Sequence, residues 1–155
     1  MNFRSLCVIA AMSLLAACQS ASQSGAGAGG TAASTVAPGS REDFVQNVGD
    51  RVFFDFNKSD IKPEGEKTLE RQATWLKKYP NDKVTVEGHC DDRGTREYNL
   101  ALGARRANAV KRALVALGID GNRITTISYG KERPAVIGDN EAAWAQNRRG
   151  VTVVQ

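Results

Sequence analysis

Residues 88–92, Gly-His-Cys-Asp-Asp, bring the chain's one histidine, a thiol and two carboxylates within five positions. Such a cluster could hold a nucleophile beside its base, a metal ion, or a cationic ligand. A thiol nucleophile needs its base within hydrogen-bond reach. His89 and Cys90 are adjacent at the end of a strand-like run, where consecutive side chains point to opposite faces. Zinc needs three or four ligands, and the sequence from residue 42 onward has no second histidine or cysteine to supply them. No catalytic residue and no metal ligand is assigned. His89 reads as a half-buried strand residue and Cys90 as a small apolar filler. The aspartates remain, and they need a cation.

The next helix supplies one. Residues 99–117 carry a long helical pattern with an apolar stripe of Leu102, Ala109, Val110, Ala113, Leu114 and Leu117. At about 100° per residue, with Leu102 set at zero, the stripe centres near 40° and Arg106 falls at about 40°, in its middle. Arg105 falls at about −60°, toward the edge. An isolated buried charge costs many kcal/mol. Arg106 therefore needs a carboxylate, either from Asp91 or Asp92 or from a ligand.

The elements that must place these groups are legible on either side. Residues 51–56 are aromatic and β-branched and read as a strand. Pro63 opens a helix with Glu64 and Glu66 at its start, and Lys77 and Lys78 close it before Pro80. Residues 83–88 and 123–130 read as strands, and Gly118 ends the long helix between them. A short helix at 141–146 and a last strand at 150–154 complete the set. The order β-α-β-α-β-(α)-β predicts an α+β domain over 42–155, a mixed sheet with helices on one face.

Residues 1–17 hold one cation, Arg4, and an apolar run of about a dozen residues, the pattern of a cleaved secretory leader. Leu15-Ala16-Ala17-Cys18 resembles a bacterial lipobox, which implies acylation of Cys18 and attachment to the outer membrane. Residues 18–41 then form a flexible tether rich in Gly, Ala and Ser, with a root-mean-square span of roughly 25–30 Å. Cys7 leaves with the leader and Cys18 carries lipid, so Cys90 stands alone and no disulfide framework exists. A net charge of +4 is weak evidence for a polyanion, and stacking platforms for single strands are missing. Nucleic acid is not an expected partner, and no cofactor is expected.

The segment GHCDDRGTREYNLALGARRANAVKRALVALGI is very similar to the signature of OmpA-like peptidoglycan-binding domains. VFFDFNKSDI, ISYGKERPAV and NRRGV match the same family at its other blocks, in order. The lipobox and tether fit its lipoprotein members rather than its integral barrel proteins. Cys90 stands where the family usually has threonine. The resemblance implies that Asp91 and Arg106 hold the diaminopimelate of a wall stem peptide. A carboxylate suits its ammonium and a forked guanidinium its acid. Phe54, Asp55, Asn99 and Leu102 are expected to line the same cleft, although Phe54 also reads as core and Asn99 as a helix N-cap. Asp92 and Arg93 would tune the loop, Arg93 reaching ligand carboxylates, and Arg148 either closes the pocket or caps a strand edge. The resemblance further implies a noncovalent tie between outer membrane and wall, with TolB and other Tol-system proteins as partners. It implies a part in envelope constriction at division, and no enzyme activity. A protein adaptor with secondary wall binding is the alternative, and a thiol hydrolase of the wall is the third possibility.

Overall fold

Proline opens the first long helix of this domain at Pro63, and a left-handed glycine, Gly118, closes the second. The computed structural model describes residues 36–155. The expected leader, the lipid site Cys18 and the tether up to residue 35 lie outside the described residues.

Chain order runs α1 (Arg41–Asp43), a π-helical turn over Phe44–Val48, β1 (Arg51–Phe53), α2 (Pro63–Lys78), β2 (Val84–His89), α3 (Arg96–Ala116), β3 (Ile124–Gly130), α4 (Glu141–Asn147) and β4 (Arg149–Val154). The sheet order is β1-β4-β2-β3. β2 and β3 are parallel, while β4 runs antiparallel to both β1 and β2. The sheet is mixed, as the pattern predicts.

Partnered positions across a sheet share a face, and Val52, Gly150 and Gly88 form such a row. Helix atoms meet all three. A Cβ on Gly150 would touch Val110 of α3, Gly65 of α2 packs on Val52, and Gly88 abuts Gly103 of α3. Both long helices therefore cover one face. Between them and the sheet lies the core, including Val52, Phe54, Leu69, Leu76, Val84, Val86, Val110, Leu114 and Ile124. Gln72 is polar yet fully buried. Its amide donates to Gly49 O at 2.7 Å and its carbonyl accepts from Thr152 Oγ1 at 2.9 Å, which offsets its desolvation.

Two boundaries differ from expectation by three residues. The first strand ends at Phe53 rather than Phe56, because the chain turns out of the ladder and Asn57 takes a left-handed φ of 58°. The long helix starts at Arg96, with Thr95 rather than Asn99 as N-cap, its hydroxyl accepting from Tyr98 N at 3.2 Å. Gly118, at φ 91°, does end that helix.

The N-terminal approach is pinned at one pole. Arg41 donates to Val154 O at 2.7 Å and 3.1 Å, Gly39 lies against Tyr79, and Asp43 accepts from Gly39 N and Trp75 Nε1. Val84 and Val154 pair at this pole, whereas β2 ends at the other, where Cys90 and Asp91 follow it. The six steps along the chain from Val84 to Cys90 separate the two poles by about 20 Å.

Candidate functional site

The contact between Gly88 and Gly103 sets the site. With no side chain on either residue, α3 presses its backbone onto the end of β2, and Arg106 follows one turn later. Its side chain is 0% exposed. Nε donates to Lys58 O at 2.8 Å, Nη1 to His89 O at 2.8 Å and Nη2 to Asp55 O at 3.0 Å. The Phe54 ring lies 5.2 Å from its guanidinium carbon. Burial presses its pKa downward, and the nearby Cys90 and Asp91 oppose that.

Here the structure bears on the two alternatives for the partner of Arg106. The inward turn of Arg106 is as the helical wheel has it, but its partners are three main-chain carbonyls, two from the loop after β1 and one from the end of β2. No carboxylate among the described residues forms a salt bridge with it. Three neutral acceptors satisfy three of five N–H groups and leave the charge uncompensated by direct contact.

Asp91 is also buried, at 4% exposure. Its Oδ2 accepts from Arg93 Nη2 at 2.6 Å and from Arg148 Nη1 at 3.4 Å. Burial raises its pKa, but Arg93 and Arg148 together hold the carboxyl below the usual carboxylate range. Arg148 in turn donates to Phe54 O at 3.0 Å and to Glu141 at 2.5 Å. Arg93 stacks between the rings of Phe56 and Trp144, 4.0 Å from each centroid. Around Asp91, two arginines face two acids. Arg106 carries the cleft's unbalanced charge.

Asp91 and Arg106 line one cleft of about 150 Å³, together with Arg93, Asn99 and Leu102. That is below the several hundred Å³ of a drug-sized pocket and suits the end of one side chain. Four expected residues do not line it. Phe54 is core at 2% exposure. Asp55 lends Arg106 its main-chain oxygen while its exposed carboxylate pairs with Lys62 at 3.2 Å. Asp92 is exposed, its carbonyl bonded to Lys131. Arg148 neither closes the cleft nor caps an exposed edge, because it is 6% exposed and braces Asp91 from behind. Asn99 caps nothing; its amide donates to Arg93 O and Thr95 O and holds the loop.

Phe56, Asn57 and Tyr98 line the cleft without having been expected. Tyr98 sits four residues before Leu102 on the same helix face, a signal hidden by starting the helix at Asn99. The Tyr98 hydroxyl meets the Asn57 side chain and ties helix to loop.

His89 is fully rather than half buried, at 2% exposure. Its Nε2 lies 3.3 Å from Glu87, while Cys90 Sγ points to Asn99 O at 3.4 Å. The two side chains serve different neighbours. Burial raises the thiol pKa, which disfavours the reactive thiolate.

Burial first, then the Arg149 charge, lowers the His89 pKa from 6.5 to about 4. A base with a depressed folded pKa is protonated in the unfolded chain first. Its stabilisation is complete above pH 6.5 and is lost as pH falls toward about 4. The loss amounts to up to about 3 kcal/mol. Urea midpoints measured across that window should slope with pH in the parent and flatten in His89→Phe.

The sequence model of the OmpA family matches residues 53–148. The chain belongs to this family. The peptidoglycan-associated lipoprotein of Rhizobium meliloti is 57% identical over 125 residues, which cover 81% of this chain and 71% of that one. The protein of that description from Haemophilus influenzae is 46% identical over 148 residues, 96% and 95% of the two chains. The crystal structure of the peptidoglycan-associated lipoprotein from Burkholderia pseudomallei aligns with a TM-score of 0.70 at 39% identity, covering 75% of this chain and all of that one. The C-terminal domain of Helicobacter pylori MotB aligns at 0.64 and 25% identity, covering 68% and 84%. The α+β architecture is thus that of OmpA-family domains.

Proposed function

We propose that this OmpA-family domain binds peptidoglycan noncovalently through the diaminopimelate of the stem peptide. Arg106 takes the side-chain carboxylate and Asp91 the ammonium. The observation that carries the reading is Arg106, a fully buried guanidinium at a cleft wall whose three bonds all go to neutral carbonyls. A buried cation in that state is stabilised by an arriving anion. The protein acts by binding and makes or breaks no bond.

In this reading Cys18 carries lipid that anchors the chain in the outer membrane, the domain faces the periplasm, and the whole ties membrane to wall. Relatives named as peptidoglycan-associated lipoproteins support it. It further places the chain in the Tol-Pal system, with TolB as a partner and a part in membrane constriction at division. One observation favours a second reading, that of a protein adaptor. Ile137 is 94% exposed on a loop that Asn147 pins through Ala135 N, Val136 N and Val136 O, which is a rigid apolar knob.

Titration with a diaminopimelate muropeptide and with its lysine counterpart tests the first reading. Lysine keeps the amine and lacks the acid, so its affinity should be lower by about 100-fold. Equal affinity for the two would defeat the role given to Arg106.

A further inference from the structure

Asp91 is crowded for a group that must receive a ligand's ammonium. One of its oxygens, Oδ2, already takes two guanidinium groups, and its side chain is only 5% exposed. A cation that takes Oδ2 must displace one of them. The two arginines are unequal. Arg148 is held by Phe54 O at 3.0 Å and Glu141 at 2.5 Å, with its side chain 7% exposed. Arg93 is 31% exposed, makes one side-chain hydrogen bond, to Asp91, and has no partner for Nε.

Arg93 also has somewhere to go. Its guanidinium lies between Phe56 and Trp144, 4.0 Å from each ring. A planar cation between two aromatic faces can slide parallel to them at small cost while it stays within about 6 Å of the ring centroids. A second carboxylate waits beside that slot, since Glu141 Oε2 is 4.0 Å from Arg93 Nη2 while Glu141 Oε1 serves Arg148.

We propose that Arg93 is a displaceable counter-ion, holding on Asp91 the position that a ligand's ammonium takes and moving to Glu141 when that ammonium arrives. The inference rests on the reading of the cleft given above and adds a source of selectivity. A ligand with both charges exchanges its ammonium for Arg93 on Asp91 while its carboxylate reaches Arg106. A ligand with an amine alone must break the 2.6 Å pair and gains nothing at Arg106. Glu141, which does not line the cleft, therefore sets how readily Asp91 is released.

A double-mutant cycle on the full chain in detergent tests this, with the diaminopimelate muropeptide as titrant. Glu141→Gln should weaken binding about tenfold, because Arg93 loses its second carboxylate. Arg93→Gln should bind at least as tightly as the parent, and Glu141→Gln should have no further effect in that background. Arg93→Met keeps an unbranched side chain between the rings, so it should bind at least as tightly as the parent even where Arg93→Gln loosens the loop. On titration of the parent, the Trp144 indole resonance should shift, whereas that of Trp75, bonded to Asp43 at 2.9 Å, should stay. The idea is overturned if Glu141→Gln remains tenfold weaker without Arg93, if both Arg93 variants lose binding, or if Trp144 does not respond. A parent chain that ignores the muropeptide would instead bring down the cleft assignment itself.

Discussion

Arg106→Lys should lose retention on purified sacculi, with affinity for the diaminopimelate muropeptide lower by about 100-fold or more. Lysine keeps the charge and can reach one of the three carbonyls that the fork now joins. The other two lose their donor at about 1–3 kcal/mol each. The ligand acid loses a planar partner as well. Co-sedimentation reads the binding, and circular dichroism reads the fold, which should persist with a lower midpoint. Retention within about threefold of the parent would mean that the acid is gripped elsewhere.

Gly88→Ala should cost more in stability than any other single methyl added to the sheet. Its Cβ would lie 1.8 Å from Gly103 O and 2.6 Å from Gly103 C, which are backbone atoms with no rotamer to change. α3 would have to lift from β2, at about 3 kcal/mol or more. Lifting α3 also withdraws Arg106 from its carbonyls, so wall binding and the urea midpoint should fall together. Gly103→Ala provides the contrast. Its nearest obstacle is the Ser128 hydroxyl at 2.3 Å, a side-chain atom that can rotate away, followed by Gly88 O at 2.9 Å. The drop in midpoint should be larger for Gly88→Ala, and the reverse order would show that the sheet yields more easily than the helix.

The helical wheel placed Arg106 because periodicity reports which face of a helix is buried, and α3 buries one face for its whole length. Element order was legible for the same reason, since strands and helices here begin and end on proline, glycine and charge. What wraps Arg106 was not legible. Its partners are carbonyls of Asp55, Lys58 and His89, and main-chain oxygens leave no trace in residue identity. Three of the four residues wrongly placed on the cleft share a cause. Phe54, Asp55 and Arg148 lie next to it through the backbone or behind it through another side chain, and spacing does not separate near from facing. Asp92, the fourth, simply turns outward. Phe56 and Asn57 were missed because the strand was carried on to Phe56, whereas a left-handed Asn57 turns the loop over the cleft.

The pole at which Arg41 grips Val154 lies opposite the one where Asp91 opens the cleft. Should the chain be tugged by its N-terminal end while a guest is clasped at the far end, the strain would run lengthwise down the strands. β1 leads from the tugged end toward the guest, and β4, its neighbour, runs the other way. Their rungs would then be sheared all at once instead of unzipping singly, an arrangement suited to a mooring under tension.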